Sequence, residues 1–224
     1  MTIENVIRRI DEIGIIPVVR AASVDEATRA VEAICAGGIP IVEITMTVPN
    51  AVVVIREVAQ QYRGRAVVGA GTVTSATQAE QCVAAGAAFL VSPGLASAVL
   101  AFARGSGVLA IPGALTPTEL MSAQDQGAQL IKIFPCGNVG GAKYIKSLKA
   151  PFPGACLIPT GGVNAANAGD FIAAGAFALG VGADLVDAKA LREGNLDKIS
   201  ACARELVQAV AAARDAVLEK TLRR

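Results

Sequence analysis

Lys132 interrupts an apolar run, Leu130-Ile-Lys-Ile-Phe-Pro135. Alternation along an extended segment puts Leu130, Lys132 and Phe134 on one face and Ile131 and Ile133 on the other. With the isoleucines packed on helices, the amine points to the opposite, interior side. Burial penalises the charged form of an amine. An uncharged lysine attacks ketones and forms imines. A lysine paired with a buried acid for structure alone fits the same pattern.

The second such residue is Glu43, in Ile39-Pro-Ile-Val-Glu-Ile-Thr-Met-Thr-Val-Pro-Asn50. Ile41, Glu43 and Thr45 share a face, with Glu43 near the end of the segment. A counter-ion for Lys132 and a general acid/base need the same geometry, so the sequence leaves both roles open. A carboxyl among apolar neighbours suits proton transfer near neutrality.

The elements that must position these groups repeat along the chain. An Ala-rich helical segment, a glycine and a short apolar run recur in AICAGGIPIVEIT, CVAAGAAFLVSPG, RGSGVLAIPG, DQGAQLIKIFP and IAAGAFALGVG. The glycine supplies a left-handed helix stop, and the apolar run reads as a strand buried on both faces. Eight strands are expected: Ile15–Arg20, Pro40–Thr45, Ala66–Gly71, Ala88–Ser92, Gly107–Pro112, Gln129–Phe134, Ala155–Thr160 and Phe177–Gly182. The segments TVPNAVVVIREVAQQY and TPTELMSAQDQG read as helices opened by Thr or Asn caps and early prolines. Strand–helix alternation implies parallel strands with right-handed crossovers, and eight units are what a closed (β/α)8 barrel needs. An open doubly wound sheet is the rival. It commonly carries G-x-G-x-x-G after its first strand, whereas this chain reads PVVRAASVDEA there. The expected organisation is a single barrel domain over 1–224, with an N-terminal helix over about 2–13 and a long last helix over about 196–218 that closes the barrel over the first strand.

Barrel ligands bind at the C-terminal ends of strands. Arg20 ends the first strand, Thr72 follows Gly69-Ala-Gly71, and Pro93-Gly94 ends the fourth. Thr160-Gly161-Gly162 ends the seventh, before a helix opened near Asn164, and Gly180-Val-Gly182 ends the eighth. Glycine pairs there open backbone N–H groups toward a helix N-terminus, a site for phosphate or carboxylate.

Composition narrows the chemistry. The 224 residues include no histidine, which removes His-based triads and His-ligated metal sites. The five cysteines (Cys35, Cys82, Cys136, Cys156, Cys202) are odd in number and lack C-x-x-C, so they read as reduced thiols of a cytoplasmic protein. A net charge of +1 without a basic block gives no case for nucleic acid or an anionic membrane. The Arg223-Arg224 ending reads as a frayed, solvated tail. No uncharged apolar run is long enough to span a bilayer, and MTIENVIRRIDEIG lacks the core of a signal peptide.

The motifs VEITMTVP, VGAGTV, VSPG, IPGALTPTEL, IKIFP and PTGGV occur in order and at barrel-strand spacing. From about Ile15 to Val186 the chain resembles the class I aldolases that cleave 2-keto-3-deoxy-6-phosphogluconate and 4-hydroxy-2-oxoglutarate. The resemblance implies a (β/α)8 barrel, a cytoplasmic homotrimer, no metal and no cofactor, and a small keto-acid substrate. It assigns Lys132 to the Schiff base and Glu43 to acid/base work. Thr72 and Pro93 fall on pyruvate contacts, Phe134 beside the lysine, and Thr160 on a position tied to stereochemistry. Gly161 and Gly162 fall on phosphate-binding backbone, and Thr45, Gly182 and Ala183 join the substrate-facing set. Two positions depart from the pattern. Some members have a carboxylate-binding arginine where this chain has Thr47, and Arg20 is the expected substitute cation. Phosphate-binding members often have a serine where Ala183 stands, and Asp184 adds negative charge beside it. The related readings are a 2-keto-3-deoxy-6-phosphogalactonate or unphosphorylated sugar-acid aldolase, an isomerase or synthase on a phosphate-binding barrel, and a non-catalytic trimeric scaffold.

Overall fold

The recurring glycine does what the sequence pattern asks of it. In the five turns of that pattern, at Gly38, Gly86, Gly107, Gly127 and Gly175, φ lies between 65° and 104°, a region open to glycine and costly for other residues. The computed structural model describes residues 1–223. Arg224, half of the expected solvated tail, lies outside the described residues, and Arg223 is exposed as the C-cap of the last helix.

The chain begins with α1 (Ile3–Ile13) and β1 (Ile15–Val19), followed by α2 (Val24–Ala36), β2 (Ile41–Thr45), α3 (Ala51–Gln61) and β3 (Val67–Gly71). Next come α4 (Ala76–Ala84), β4 (Phe89–Val91), α5 (Ser97–Ser106) and two short strands, β5 (Leu109–Ile111) and β6 (Gly113–Ala114). The last third holds α6 (Pro117–Asp125), β7 (Leu130–Ile133), α7 (Ala142–Lys149), β8 (Cys156–Pro159), α8 (Ala168–Ala173), β9 (Leu179–Val181), α9 (Ala188–Arg192) and α10 (Leu196–Leu222).

All eight expected strands are present, and one is split. The run expected over Gly107–Pro112 starts only at Leu109, pairs with β4 as far as Ile111, and resumes beyond Pro112 as β6 against β7. Proline has no N–H to give to a ladder, so the strand changes neighbours across it. All named strand pairs are parallel, in the orders β5-β4-β3-β2-β1-β9 and β6-β7-β8. A Thr160–Gly180 bridge and a Phe177 N–H donated to the Leu157 carbonyl join β8 to β9. The register closes the circuit. Val18, Glu43, Gly69, Phe89 and Leu109 are level; Gly113, four residues on, meets Lys132 and then Ile158; Thr160, two further, meets Gly180, which meets Ile16. Climbing the last two residues back to Val18 makes the slip eight, the shear of a (β/α)8 barrel.

Two cores follow from strand parity. Ile16, Ile41, Val67, Phe89, Leu109, Leu130 and Ile158 fill the barrel interior, and Val6 and Ile10 of α1 plug its N-terminal end from below. Ile44, Ile131, Ile133 and Leu179 face the other way, into the layer between strands and helices. The long α10 completes the outer ring by packing on α8 and α2. Arg214 on α10 donates to the carbonyls of Asp11 and Phe177, tying that helix to the end of the α1 plug.

Helix starts follow local chemistry. Thr116 and Glu119 form a reciprocal capping box at α6, with Pro117 in its first turn. At α3 the expected cap residue, Asn50, is in place, yet its side chain makes no capping bond and its φ is 54°. The helix expected near Asn164 begins at Ala168. The Asn164 side chain accepts the N–H groups of Ala166 and Asn167, which holds the intervening residues in a turn.

Candidate active site

Lys132 and Glu43 meet inside the barrel. Both are buried, at 5% and 3% exposure. Lys132 Nζ lies 3.8 Å from Glu43 Oε1 and 5.4 Å from the centre of the Phe134 ring. At 3.8 Å the pair is an electrostatic contact rather than a hydrogen bond. Among the described residues, Glu43 Oε1 has no hydrogen-bond partner. A buried carboxylate oxygen left without a donor is rare and costly, and it is free to accept a proton from another group.

Several of the other expected residues lie on the rim formed by the strand ends. Thr45 is fully buried; its hydroxyl lies 3.2 Å from the Val19 carbonyl and 2.7 Å from Thr47 Oγ1. Thr47, where some relatives of the motif carry arginine, is thus bound to β2 by a hydroxyl. Thr72 has φ 58°, a strained backbone for a β-branched residue. The turn after it is held by Val73, whose N–H is given to the Val91 carbonyl and whose carbonyl takes the buried Ser92 hydroxyl at 2.7 Å. Pro93 is exposed, and its carbonyl packs where a side chain on Gly113 would stand. Thr160 is buried against Gly180, and the Gly161 carbonyl accepts the Gly137 N–H.

Some expected features are not drawn to the pair. Arg20 is exposed, one residue past the Val19–Ile44 pairing, with no carboxylate within 4 Å among the described residues. In the two glycine pairs the carbonyls of Gly161, Gly162 and Gly182 are engaged. The Gly162 carbonyl is taken by the Asn167 side chain, five residues on. Gly180 lies within β9, and the Gly182 carbonyl is taken by the N–H groups of Leu185 and Val186 in a turn that carries exposed Ala183 and Asp184. Cys136, next to Pro135, is buried; burial pushes its thiol up to about 11, which leaves it inert.

Sequence reading passed over Ser92, and it named Gly69, Gly71 and Gly180 as strand-end glycines without reading the space that they leave. Their signal was available: inward parity combined with the absence of a side chain. A Cβ on Gly69 would stand 2.3 Å from the Phe89 ring, and one on Gly180 would stand 2.1 Å from Thr160 Oγ1. A cavity of about 480 Å³ on the C-terminal rim touches Gly137, Gly141, Lys143 and Gly162. A slightly larger one, about 510 Å³, lies at the N-terminal face beside Arg56, Arg63 and Gly86, away from the pair.

A buried lysine facing a buried carboxylate inside a closed barrel has the parts that imine chemistry needs. The profile of the aldolase family "KDPG and KHG aldolase" matches residues 3–202. The chain belongs to the KDPG and KHG aldolase family. It is therefore a lyase by family. It is 38% identical to the 2-dehydro-3-deoxy-phosphogluconate aldolase of Dickeya dadantii (strain 3937), over 86% of this chain and 90% of that one. It is 36% identical to the KHG/KDPG aldolase of Escherichia coli (strain K12), over 87% and 91%. The crystal structure of the Legionella pneumophila KDPG aldolase, with pyruvate captured at low pH as a covalent carbinolamine intermediate, superposes with a TM-score of 0.83. That match is 29% identical and covers 89% of this chain and 97% of the Legionella one. Among the described residues, no helix is long and apolar enough to cross a membrane.

Proposed function

We propose that this member of the family cleaves a 2-keto-4-hydroxy acid to pyruvate and an aldehyde through a Schiff base on Lys132. The observation that carries the reading is the pairing of Lys132 with Glu43, both buried and 3.8 Å apart, in a chain of this family.

The Lys132 amine adds to the C2 ketone, and loss of water leaves a protonated imine. Glu43 takes the proton of the C4 hydroxyl. The C3–C4 bond breaks, its electron pair passes into the imine, and the aldehyde departs. The protonated Glu43 then returns its proton to C3 of the enamine, and water hydrolyses the imine to free pyruvate and restore the amine. Phe134 beside the amine and Thr72 and Pro93 on the rim hold the pyruvate half, and Arg20 supplies a cation for its carboxylate. Thr45, Thr160, Gly161, Gly162, Gly182 and Ala183 line the aldehyde half.

The aldehyde is glyceraldehyde 3-phosphate from 2-keto-3-deoxy-6-phosphogluconate, or glyoxylate from 4-hydroxy-2-oxoglutarate. Ala183 offers no hydroxyl, and Asp184 is exposed beside it, so the phosphate is held by backbone N–H groups. The working form is a cytoplasmic homotrimer, supported by the sequence resemblance.

A lactate dehydrogenase-coupled assay over both acids and their unphosphorylated sugar-acid analogues tests this. Pyruvate release from at least one, abolished in Lys132→Ala, is expected. Turnover that survives Lys132→Ala sinks the proposal, as does no pyruvate from any of them.

A further inference from the structure

We propose that Gly71 is a positioning residue for Glu43: a side chain left out of β3 makes the slot in which the carboxylate sits opposite Lys132. Gly71 pairs with Thr45 and Gly69 pairs with Glu43, so both glycines share the inward face of β3. Conformation does not require glycine here. Gly71 lies at the end of a regular parallel strand, is absent from the residues with positive φ, and gives its carbonyl to the Met46 N–H at 2.8 Å. Its requirement is space. A Cβ on Gly71 would stand 1.9 Å from Glu43 Oε1, 2.5 Å from Cδ and 2.6 Å from Cγ, and these are its three nearest atoms.

Among the described residues, no hydrogen bond fixes Oε1 where it is. The walls are Gly71 on one side and the Lys132 amine, at 3.8 Å, on the other. The atoms that would clash belong to one flexible side chain, from Cγ outward, and none is backbone. A methyl group at 71 therefore displaces the carboxylate by more than about 1 Å and leaves the barrel standing. Misplacement of a reacting group on that scale costs about 100-fold in rate. Imine formation needs the lysine and is spared; proton transfer needs the carboxylate and is not. The kinetic part of this inference rests on the function proposed above.

The test is a cycle of Gly71→Ala, Glu43→Ala and the double variant, read by pyruvate release, by borohydride trapping of pyruvate on Lys132, and by urea unfolding. Gly71→Ala is expected to lower kcat about 100-fold, leave KM within about 3-fold, and keep a full adduct. In the Glu43→Ala background the same change should cost less than about 3-fold, because the group it displaces is gone. An equal loss in both backgrounds, or wild-type kcat in Gly71→Ala, overturns the inference. If Gly71→Ala fails to fold, it must fold in a Glu43→Ala, Lys132→Met background, where neither buried charge is left unpaired, and failure there overturns it equally. If the wild type gives no adduct, the catalytic reading falls alone. Unfolding then decides the slot: relief of the Gly71→Ala destabilisation by Glu43→Ala upholds it, and no relief rejects it.

Discussion

Removing one member of the Lys132–Glu43 pair should harm the fold more than removing both. The perturbations are Lys132→Met, which keeps the stem and drops the charge, Glu43→Leu, and the two together. At 3.8 Å, and with an effective dielectric constant of about 20, the charges attract by about 4 kcal/mol. Both are almost wholly buried, so a lone survivor keeps its desolvation cost and loses its compensation. Each single variant should lose about 3–5 kcal/mol, and the double, with two apolar side chains of similar size, should stand within about 1 kcal/mol of the wild type. Urea unfolding followed by circular dichroism reads this directly; a 3 kcal/mol loss moves the midpoint by about 1 M or more. The coupling between the two sites is then at least about 5 kcal/mol in size, far above what independent sites show. A double variant as unstable as the sum of the two singles would refute the reasoning, because the charges would then not be compensating one another.

Three further outcomes are expected. Burial pushes the Cys35, Cys82 and Cys136 thiols up to about 11, leaving about 0.1% thiolate at pH 8, and raises the Cys202 thiol as well; in the native protein iodoacetamide should alkylate the half-buried Cys156 before these four, and an intact-mass time course with simultaneous labelling would contradict this. Asp187 is drawn down to about 2, first by its hydrogen bond to Lys198 and then by N–H groups at the start of α9; with a folded value below the unfolded one of about 3.9, its contribution is present above pH 4 and lost as pH falls through 2. Asp187→Asn should therefore lower Tm at pH 7 and have little effect near pH 2, and an equal difference at both would reject the ion pair as the cause. Ile10, fully buried in the floor of the barrel, should cost about 2–5 kcal/mol when cut to alanine, with a smaller loss for the half-buried Ile7; equal urea midpoints would argue against α1 as a plug.

Strand parity and the helix-stopping glycine are local signals, and what depends on them was legible in the sequence. Ile131 and Ile133 do face the helix layer, and Lys132 does share the interior with Glu43, because a two-residue period leaves a buried strand no other choice. The Thr116 cap and the early Pro117 at α6 were also legible because caps are local, whereas the answering bond from Glu119 was not read. Other features depend on neighbours far along the chain. The split at Pro112 arises because one segment must pair with β4 below and β7 above. The late start of α8 reflects an asparagine side chain competing with the helix for N–H groups. Gly71 reads as one more small residue in an apolar strand until the Glu43 carboxylate is seen in the space it leaves. Arg20 has the right address at the end of β1, and its side chain is exposed.

The central claim is that Lys132 forms a covalent imine with a 2-keto acid, and sodium borohydride with pyruvate tests it most directly. Intact mass followed by peptide mapping should show one reduced pyruvate adduct per chain, on the peptide carrying Lys132, and none in Lys132→Ala. No adduct, or an adduct on another lysine, would contradict the account.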